Sequence, residues 1–373
     1  MKVVLACDSF KGSLDALSAV NAVKRGITRI LPETHVVLCP VCDGGEGTVE
    51  ILTNAACGKV LTAAVHGPLM DMVTVQWGLL DENRTAVLEV AQVAGLTLLE
   101  PDQRDPARTT SYGLGELISN ALDAGTERFI IGLGGSATND GGTGMAEALG
   151  VRFLGTDFPM NGGKLSDITS IDLSNLDRRI KGKSFQVAVD VSNPLLGPQG
   201  ASNVFSPQKG ATPDQVTLLE KGMRNLASLL PQVSPDLAGA GAAGGLGWGL
   251  VAFLNAELKS GIDLCLHTLD FENLLEGADL VITGEGSLDQ QTLHGKVPLG
   301  VARRAASMHV PTLILSGNHS VSSADLEQYG VIGCYSICKD FDVSVERSIR
   351  EAPVLLEDLA ARFVPKYADI KKL

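Results

Sequence analysis

Aromatic residues are scarce, at 4% of the 373-residue chain, and no apolar run is long enough to cross a bilayer. The run nearest the start, residues 3–7, is too short for an export signal, so a cytoplasmic location is expected. Basic charge is also short: 30 Lys and Arg stand against 43 Asp and Glu, a net charge of −13. Without a concentrated basic patch, neither nucleic acid nor an anionic membrane is an expected partner. The six histidines form no H-E-x-x-H, H-x-x-E-H or triad-like grouping, which leaves metalloprotease and serine-hydrolase chemistry without support. Seven cysteines are an odd count, and Cys7, Cys57, Cys265 and Cys334 fall in apolar runs. They read as buried free thiols of a reducing compartment rather than a disulfide frame. Internal repeats, low-complexity linkers and long charge runs are absent.

Glycine, in contrast, is abundant, with 42 residues, and 45% of the chain is hydrophobic. The length predicts two domains, each able to bury a core. Residues 3–7 read as a buried parallel strand. A helix with apolar positions at Leu14, Leu17, Val20, Val23, Ile27 and Ile30 follows, capped by Ser13 and stopped by Pro32. A second strand is expected at 35–39 and a second helix from Thr48. From about residue 59 the pattern becomes an antiparallel meander. The opening rhythm returns near residue 279, with strands at 279–283, 312–316 and 331–337. The expected fold is α/β with two domains. Residues 1–60 and 275–373 form a discontinuous Rossmann/flavodoxin-like doubly wound parallel sheet. A mixed α/β domain, 61–274, is inserted into it, and the active site is expected in the cleft.

Several glycine-rich runs sit where a strand hands over to a helix, the end at which open α/β sheets bind ligands. Asp8-Ser9-Phe10-Lys11-Gly12-Ser13 offers a helix start and a lysine to an anion. Asp43-Gly44-Gly45-Glu46-Gly47-Thr48 has capping-box spacing between Asp43 and Glu46, yet more glycine than a cap needs, which implies close approach of a ligand or another loop. The run from Gly132 to Gly142 carries Gly134, Gly135, Ser136, Thr138 and Asp140 and reads as a phosphate cradle. It lacks the Gly-Lys-Ser/Thr ending of a Walker A loop. Thr283-Gly284-Glu285-Gly286-Ser287-Leu288-Asp289, with Gly295-Lys296-Val297-Pro298, places Lys296 at a helix start. Asp190 ends an expected strand before Asn193-Pro194 and is either a proton acceptor or a turn former.

Two further motifs are weaker. Gly239-Ala240-Gly241-Ala242-Ala243-Gly244 matches G-x-G-x-x-G without a preceding strand, so it fails as a dinucleotide fingerprint. Cys39-Pro40-Val41-Cys42 has redox-motif spacing, but strand residues account for both thiols.

Residues 8–13, 43–48, 110–117, 132–142 and 283–296 together resemble the type I glycerate kinase family, in order and across essentially the whole chain. The resemblance implies ATP and Mg2+ as co-substrates, D-glycerate as acceptor, and 2-phosphoglycerate as product. A 3-phosphoglycerate product or a related hydroxy acid are the alternatives. Cys42 departs from the family, which more often has a small residue such as Ala there.

Phosphoryl transfer needs positioning and charge neutralisation more than covalent chemistry. Lys11 and Lys296 are therefore assigned to anionic groups of substrate or ATP, and Asp190 to the general base. Gly134, Gly135, Ser136, Thr138, Asp140, Gly284 and Glu285 are expected to contact ATP. Asp8, Ser9, Gly12, Asp43, Gly44 and Gly45 are expected to contact glycerate, with Asp43 and Glu285 helping to hold Mg2+. Self-association into a homo-oligomer is left open. A nucleotide-binding oxidoreductase and a non-catalytic sugar-acid binding protein are the rival classes.

Overall fold

The computed structural model describes residues 1–289 and 296–368, so residues 290–295 of the last glycine-rich run, Gly295 among them, lie outside it. The chain divides into two compact units, Met1–Asp43 with Ile262–Leu373, and Gly44–Gly261.

The first unit is built on a parallel five-stranded sheet. Its order is Val331–Ser336, Thr312–Ser316, Leu280–Gly284, Lys2–Cys7, His35–Leu38. Counted in chain order within this unit, the strands run 2-1-3-4-5 across the sheet, the flavodoxin-like arrangement. Lys2–Cys7 pairs in register with Leu280–Gly284, Val3 opposite Leu280 and Cys7 opposite Gly284. Each of these two strands is apolar on both faces because both faces are covered. Leu313 and Leu315 pack with the helices Ala16–Ile30 and Ala352–Phe363, while Ile314 packs with Val297–Ser307 on the other side. The helix pair 16–30 and 352–363 approaches closely at Gly26, where a Cβ would lie 2.1 Å from the Glu357 carbonyl oxygen.

The sequence misplaces the cap of the first helix. Asp15, not Ser13, is the N-cap, its carboxylate accepting from the Ser18 amide at 2.6 Å. Ser13 instead lies in a turn closed by the Phe10 carbonyl, which accepts from the Ser13 and Leu14 amides, and this turn delays the helix. Cys42 and Cys265, 223 residues apart, meet in the interior of this unit with their sulfur atoms 3.4 Å apart. None of the seven cysteines forms a disulfide, and of the four expected to be buried Cys334 is half-buried and Cys57 is exposed, in a left-handed turn just past a helix end.

The second unit carries a six-stranded mixed sheet, ordered Glu257–Ser260, Ser184–Val189, Arg128–Gly132, Thr85–Glu89, Met72–Leu80, Lys59–His66. The last three form the expected antiparallel meander, and the other pairings are parallel. A separate core fills this unit, with Phe129 and Phe185 stacked across neighbouring strands at 4.5 Å. The helix Thr48–Ala55 is not closed by an Asp43–Glu46 capping box. Its N-cap is Gly47 in the left-handed conformation, and its first amides are met by a remote carboxylate, Glu89, which accepts from the Val49 amide at 2.5 Å. Among the described residues, no helix is long and apolar enough to cross a membrane.

Candidate active site

In the first unit the switch point of the sheet lies between Lys2–Cys7 and Leu280–Gly284, where flavodoxin-like sheets bind their ligands. A crevice opens there, lined by Asp8, Ser9, Lys11, Glu285, Lys296 and Asn318 among others. Three glycines let the strand-end loops close up around it. A Cβ on Gly284 would lie 1.9 Å from the Leu315 carbonyl oxygen, one on Gly286 would lie 3.3 Å from the Lys11 amide nitrogen, and one on Gly317 would lie 2.4 Å from the Gly286 carbonyl oxygen. Backbone bonds then stitch the loops together. The Asp8 amide donates to Gly284 at 2.9 Å, and the Asn318 amide donates to Gly286 at 3.0 Å.

The crevice gathers charge of both signs. Asp8 is 6% exposed and its carboxyl is pushed up to about 7, by burial first and then by the Asp43 carboxylate, with Glu285 adding to the effect. The Ser9 amide and Lys11 pull in the opposite direction. The Lys11 ammonium stands 3.7 Å from Asp43, with 79% of its side chain exposed, and Lys296 stands 3.9 Å from Asp289. Pairs of this length are weaker than close hydrogen-bonded ones. Lys296 is the N-cap of the helix Val297–Ser307, with proline in its first turn, as its position beside Pro298 predicts. Gly12 has φ +78° and open space around it, so it shapes the turn after Lys11 rather than a close contact.

Asp43 closes the first unit beside Lys11. Among the described residues, no group of three or more His, Cys, Asp or Glu is placed to hold a metal ion. Mg2+ needs no such cage, since it binds through one or two carboxylates, water and substrate phosphates. The negative charge that raises the Asp8 carboxyl fits such a cation.

The second unit holds the run 132–142, between the strand Arg128–Gly132 and the helix Thr143–Ala148. Here the absence of side chains serves packing. A Cβ on Gly134 would lie 2.6 Å from Gly45 Cα, one on Gly132 would lie 2.3 Å from the Gly44 carbonyl oxygen, and one on Gly44 would lie 2.4 Å from Ala188 Cβ. The glycines at 44 and 45 thus reflect the approach of another loop, while Gly47 serves the left-handed helix cap. Asp140 is fully buried, and its carboxylate is taken up internally: it accepts from the Ser111 amide and hydroxyl, each at 2.8 Å, and from the Gly142 and Gly144 amides. Burial still pushes its carboxyl up. It fixes the loop's shape. Ser136 is 7% exposed, and its hydroxyl accepts from the Lys209 ammonium at 2.9 Å. Thr138 is fully buried, and its carbonyl accepts from the same ammonium at 2.7 Å. Asp190 is exposed, directly after the strand Ser184–Val189.

The sequence reading missed Lys209, Glu89 and Ser111. For Lys209 a signal existed: it stands beside Gly210, as Lys11 stands beside Gly12. Glu89 and Ser111 act on segments 29 to 40 residues away, which no local pattern reveals.

The profile of the glycerate kinase family matches residues 3–367. The chain belongs to the glycerate kinase family. A glycerate kinase of Bacillus subtilis is 48% identical over 90% of each chain, and a glycerate 2-kinase of Escherichia coli is 43% identical over 90% of each. A crystal structure of a candidate glycerate kinase 2 from Salmonella typhimurium LT2 matches 100% of both chains, with TM-score 0.85 and 42% identity. As a glycerate kinase family member the chain is a phosphotransferase, and the rival classes lose their structural footing as well. The glycines of the G-x-G-x-x-G run meet the chain's own backbone: a Cβ on Gly244 would lie 2.0 Å from the Thr138 carbonyl oxygen, and one on Gly241 would lie 2.3 Å from that of Pro194. Cys39 is pushed up to about 12 by burial and then by Cys42, the reverse of an activated redox thiol.

Proposed function

We propose that this family member transfers the γ-phosphoryl group of ATP to the 2-hydroxyl of D-glycerate, with Mg2+ as the accompanying ion. The observation that supports this most is the crevice at the sheet's switch point. There Asp8 and Lys11 come from one end of the chain, and Glu285 and Lys296 from the other. Two lysines gathered among several carboxylates suit a reaction whose demand is to hold anions and neutralise charge. The name glycerate 2-kinase carried by the Escherichia coli relative supports the choice of hydroxyl.

In this reading Lys11 and Lys296 bind anionic oxygens of substrate or ATP, and Asp8 and Ser9 border the same crevice. Asp43 and Glu285 would hold Mg2+ largely through water, and the ion would supply countercharge to the phosphates. The hydroxyl oxygen of glycerate attacks the γ-phosphorus, the bond to ADP breaks, and the hydroxyl proton passes to Asp190. The absence of a disulfide among the seven cysteines supports a cytoplasmic location.

Incubation with ATP, Mg2+ and D-glycerate, followed by phosphorus NMR, tests the whole scheme. ADP and 2-phosphoglycerate are expected. A 3-phosphoglycerate signal would transfer the reaction to the other hydroxyl, and no phosphoglycerate at all would sink the proposal.

A further inference from the structure

The second unit buries a cation that the scheme above does not use. Lys209 is 2% exposed and belongs to the single turn Pro207–Lys209, which Gly210 ends in a left-handed conformation. Gly210 is forced there, because a Cβ would lie 2.2 Å from the Arg104 carbonyl oxygen. The turn therefore delivers the ammonium to the back of the 134–140 loop, where Ser136 Oγ and the Thr138 carbonyl accept from it. The neighbouring helix Ala201–Phe205 grips the same loop, since Asn139 donates to the Ser202 hydroxyl at 3.0 Å.

Burying an ammonium is costly unless charge answers it. Asp140 is the carboxylate that acts on Lys209, but its oxygens are already occupied by four donors, and no ion pair joins the two among the described residues. Lys209 has three N–H donors and two acceptors among the described residues. Ser136 is in a similar position. An ammonium offers no lone pair, so the serine oxygen accepts from Lys209 and its own proton points elsewhere, with no acceptor among the described residues. A buried positive charge and a hydroxyl proton are both left for something outside the fold.

We infer that Lys209 is a positioning residue that holds the Ser136 hydroxyl as a donor toward an anionic oxygen of a reactant, a phosphate of ATP or the carboxylate of glycerate. This rests on reading the 134–140 loop as an anion-contacting loop. Lys209 acts from behind: it supplies a fixed charge within a dry environment and sets which way Ser136 donates.

Steady-state kinetics on Lys209→Met, Ser136→Ala, the double variant and Ser136→Glu test this, each checked by thermal melting. Lys209→Met should raise the KM of one reactant by roughly 10- to 100-fold, the loss of a charge-assisted contact, while kcat falls less. A rise in the KM of ATP identifies a phosphate, and a rise in that of D-glycerate identifies the carboxylate. Ser136→Ala should raise the same KM, and the double variant should be no worse than Lys209→Met, because Ser136 works through Lys209. Folded Lys209→Met with normal KM for both reactants, or a double variant whose loss is the product of the two single losses, overturns the inference. If Lys209→Met does not fold, Ser136→Ala decides, and normal KM values there overturn it equally. Ser136→Glu tests the underlying reading separately by placing a carboxylate on the loop. Normal kinetics in Ser136→Glu would remove the loop as an anion contact. A weakened Ser136→Glu beside normal Lys209→Met and Ser136→Ala would keep the loop and discard Lys209.

Discussion

The two units handle lysine in opposite ways. In the first, Lys11 and Lys296 line a crevice in long pairs with Asp43 and Asp289, Lys11 largely exposed and Lys296 half-buried. In the second, Lys209 is sealed behind a glycine loop with neutral oxygens for partners. An exposed cation keeps much of its hydration and contributes little to the fold. A buried one is fixed before any ligand arrives and stresses the fold until a ligand answers it. The contrast separates charge left near solvent from charge fixed inside the fold.

The sharpest way to break this contrast is pH. Asp8 in the first unit is raised to about 7 in the folded chain, against about 3.9 unfolded, so its protonated form is the one the fold favours. Its contribution to stability is complete below about pH 4 and is lost as pH climbs through 7. Lys209 in the second unit is lowered to about 7, by burial and against the pull of Asp140, from about 10.4 unfolded. Its burial penalty is complete below pH 7 and is relieved as pH rises from 7 toward 10. Melting curves across pH should therefore show the wild type losing ground to Asp8→Asn between pH 4 and 7. They should show it gaining on Lys209→Met between pH 7 and 10. Parallel profiles would mean that neither group titrates as placed.

Next in size is Lys11→Ala. It should lower turnover by roughly 10²–10³-fold while leaving the melting temperature nearly unchanged, since the side chain is mostly exposed. Normal turnover in the folded variant would strike Lys11 from the site. Gly134→Ala should show the reverse balance in the second unit. Its Cβ would be 2.6 Å from Gly45 Cα, backbone that has little room to shift, so a loss of about 1–3 kcal/mol on a denaturant melt is expected. The smallest effect distinguishes two candidate caps. Asp15→Ala should lose about 1 kcal/mol and Ser13→Ala almost nothing, because Asp15 alone caps the first helix.

The same contrast explains what could be read from the sequence. Lys11, Glu285 and Lys296 follow or precede elements whose apolar runs are plain, so their meeting at the switch point follows once the strands are paired 2-1-3-4-5. Burial of Lys209 is not written in its neighbourhood. It arises because a turn at 207–209 packs beneath a loop more than 70 residues earlier. The glycines at 44 and 134 looked alike as ligand contacts, yet they face each other across one packed seam. Asp140 looked available in sequence, but the amides of Gly142 and Gly144 and the amide and hydroxyl of Ser111 fold back onto it. The spacing of Asp43 and Glu46 fitted a cap, but Glu89, at the end of a strand 40 residues on, already occupies the helix start. Local pattern finds groups at strand ends. It cannot find those whose partners are supplied by distant chain.

The contact between Cys42 and Cys265 has a further consequence for how the chain is assembled. The polypeptide leaves the first unit after Asp43 and rejoins it at Ile262, three residues before Cys265, so the Cys42–Cys265 contact brings departure and return side by side. An intervening segment whose two junctions are adjacent can be lengthened, exchanged or removed without rethreading a strand, as insertion points in folded domains generally allow. The parent sheet is therefore closed around its own core whatever is carried between those junctions, and a short bridge from Asp43 to Ile262 would leave all five of its strands in their present order.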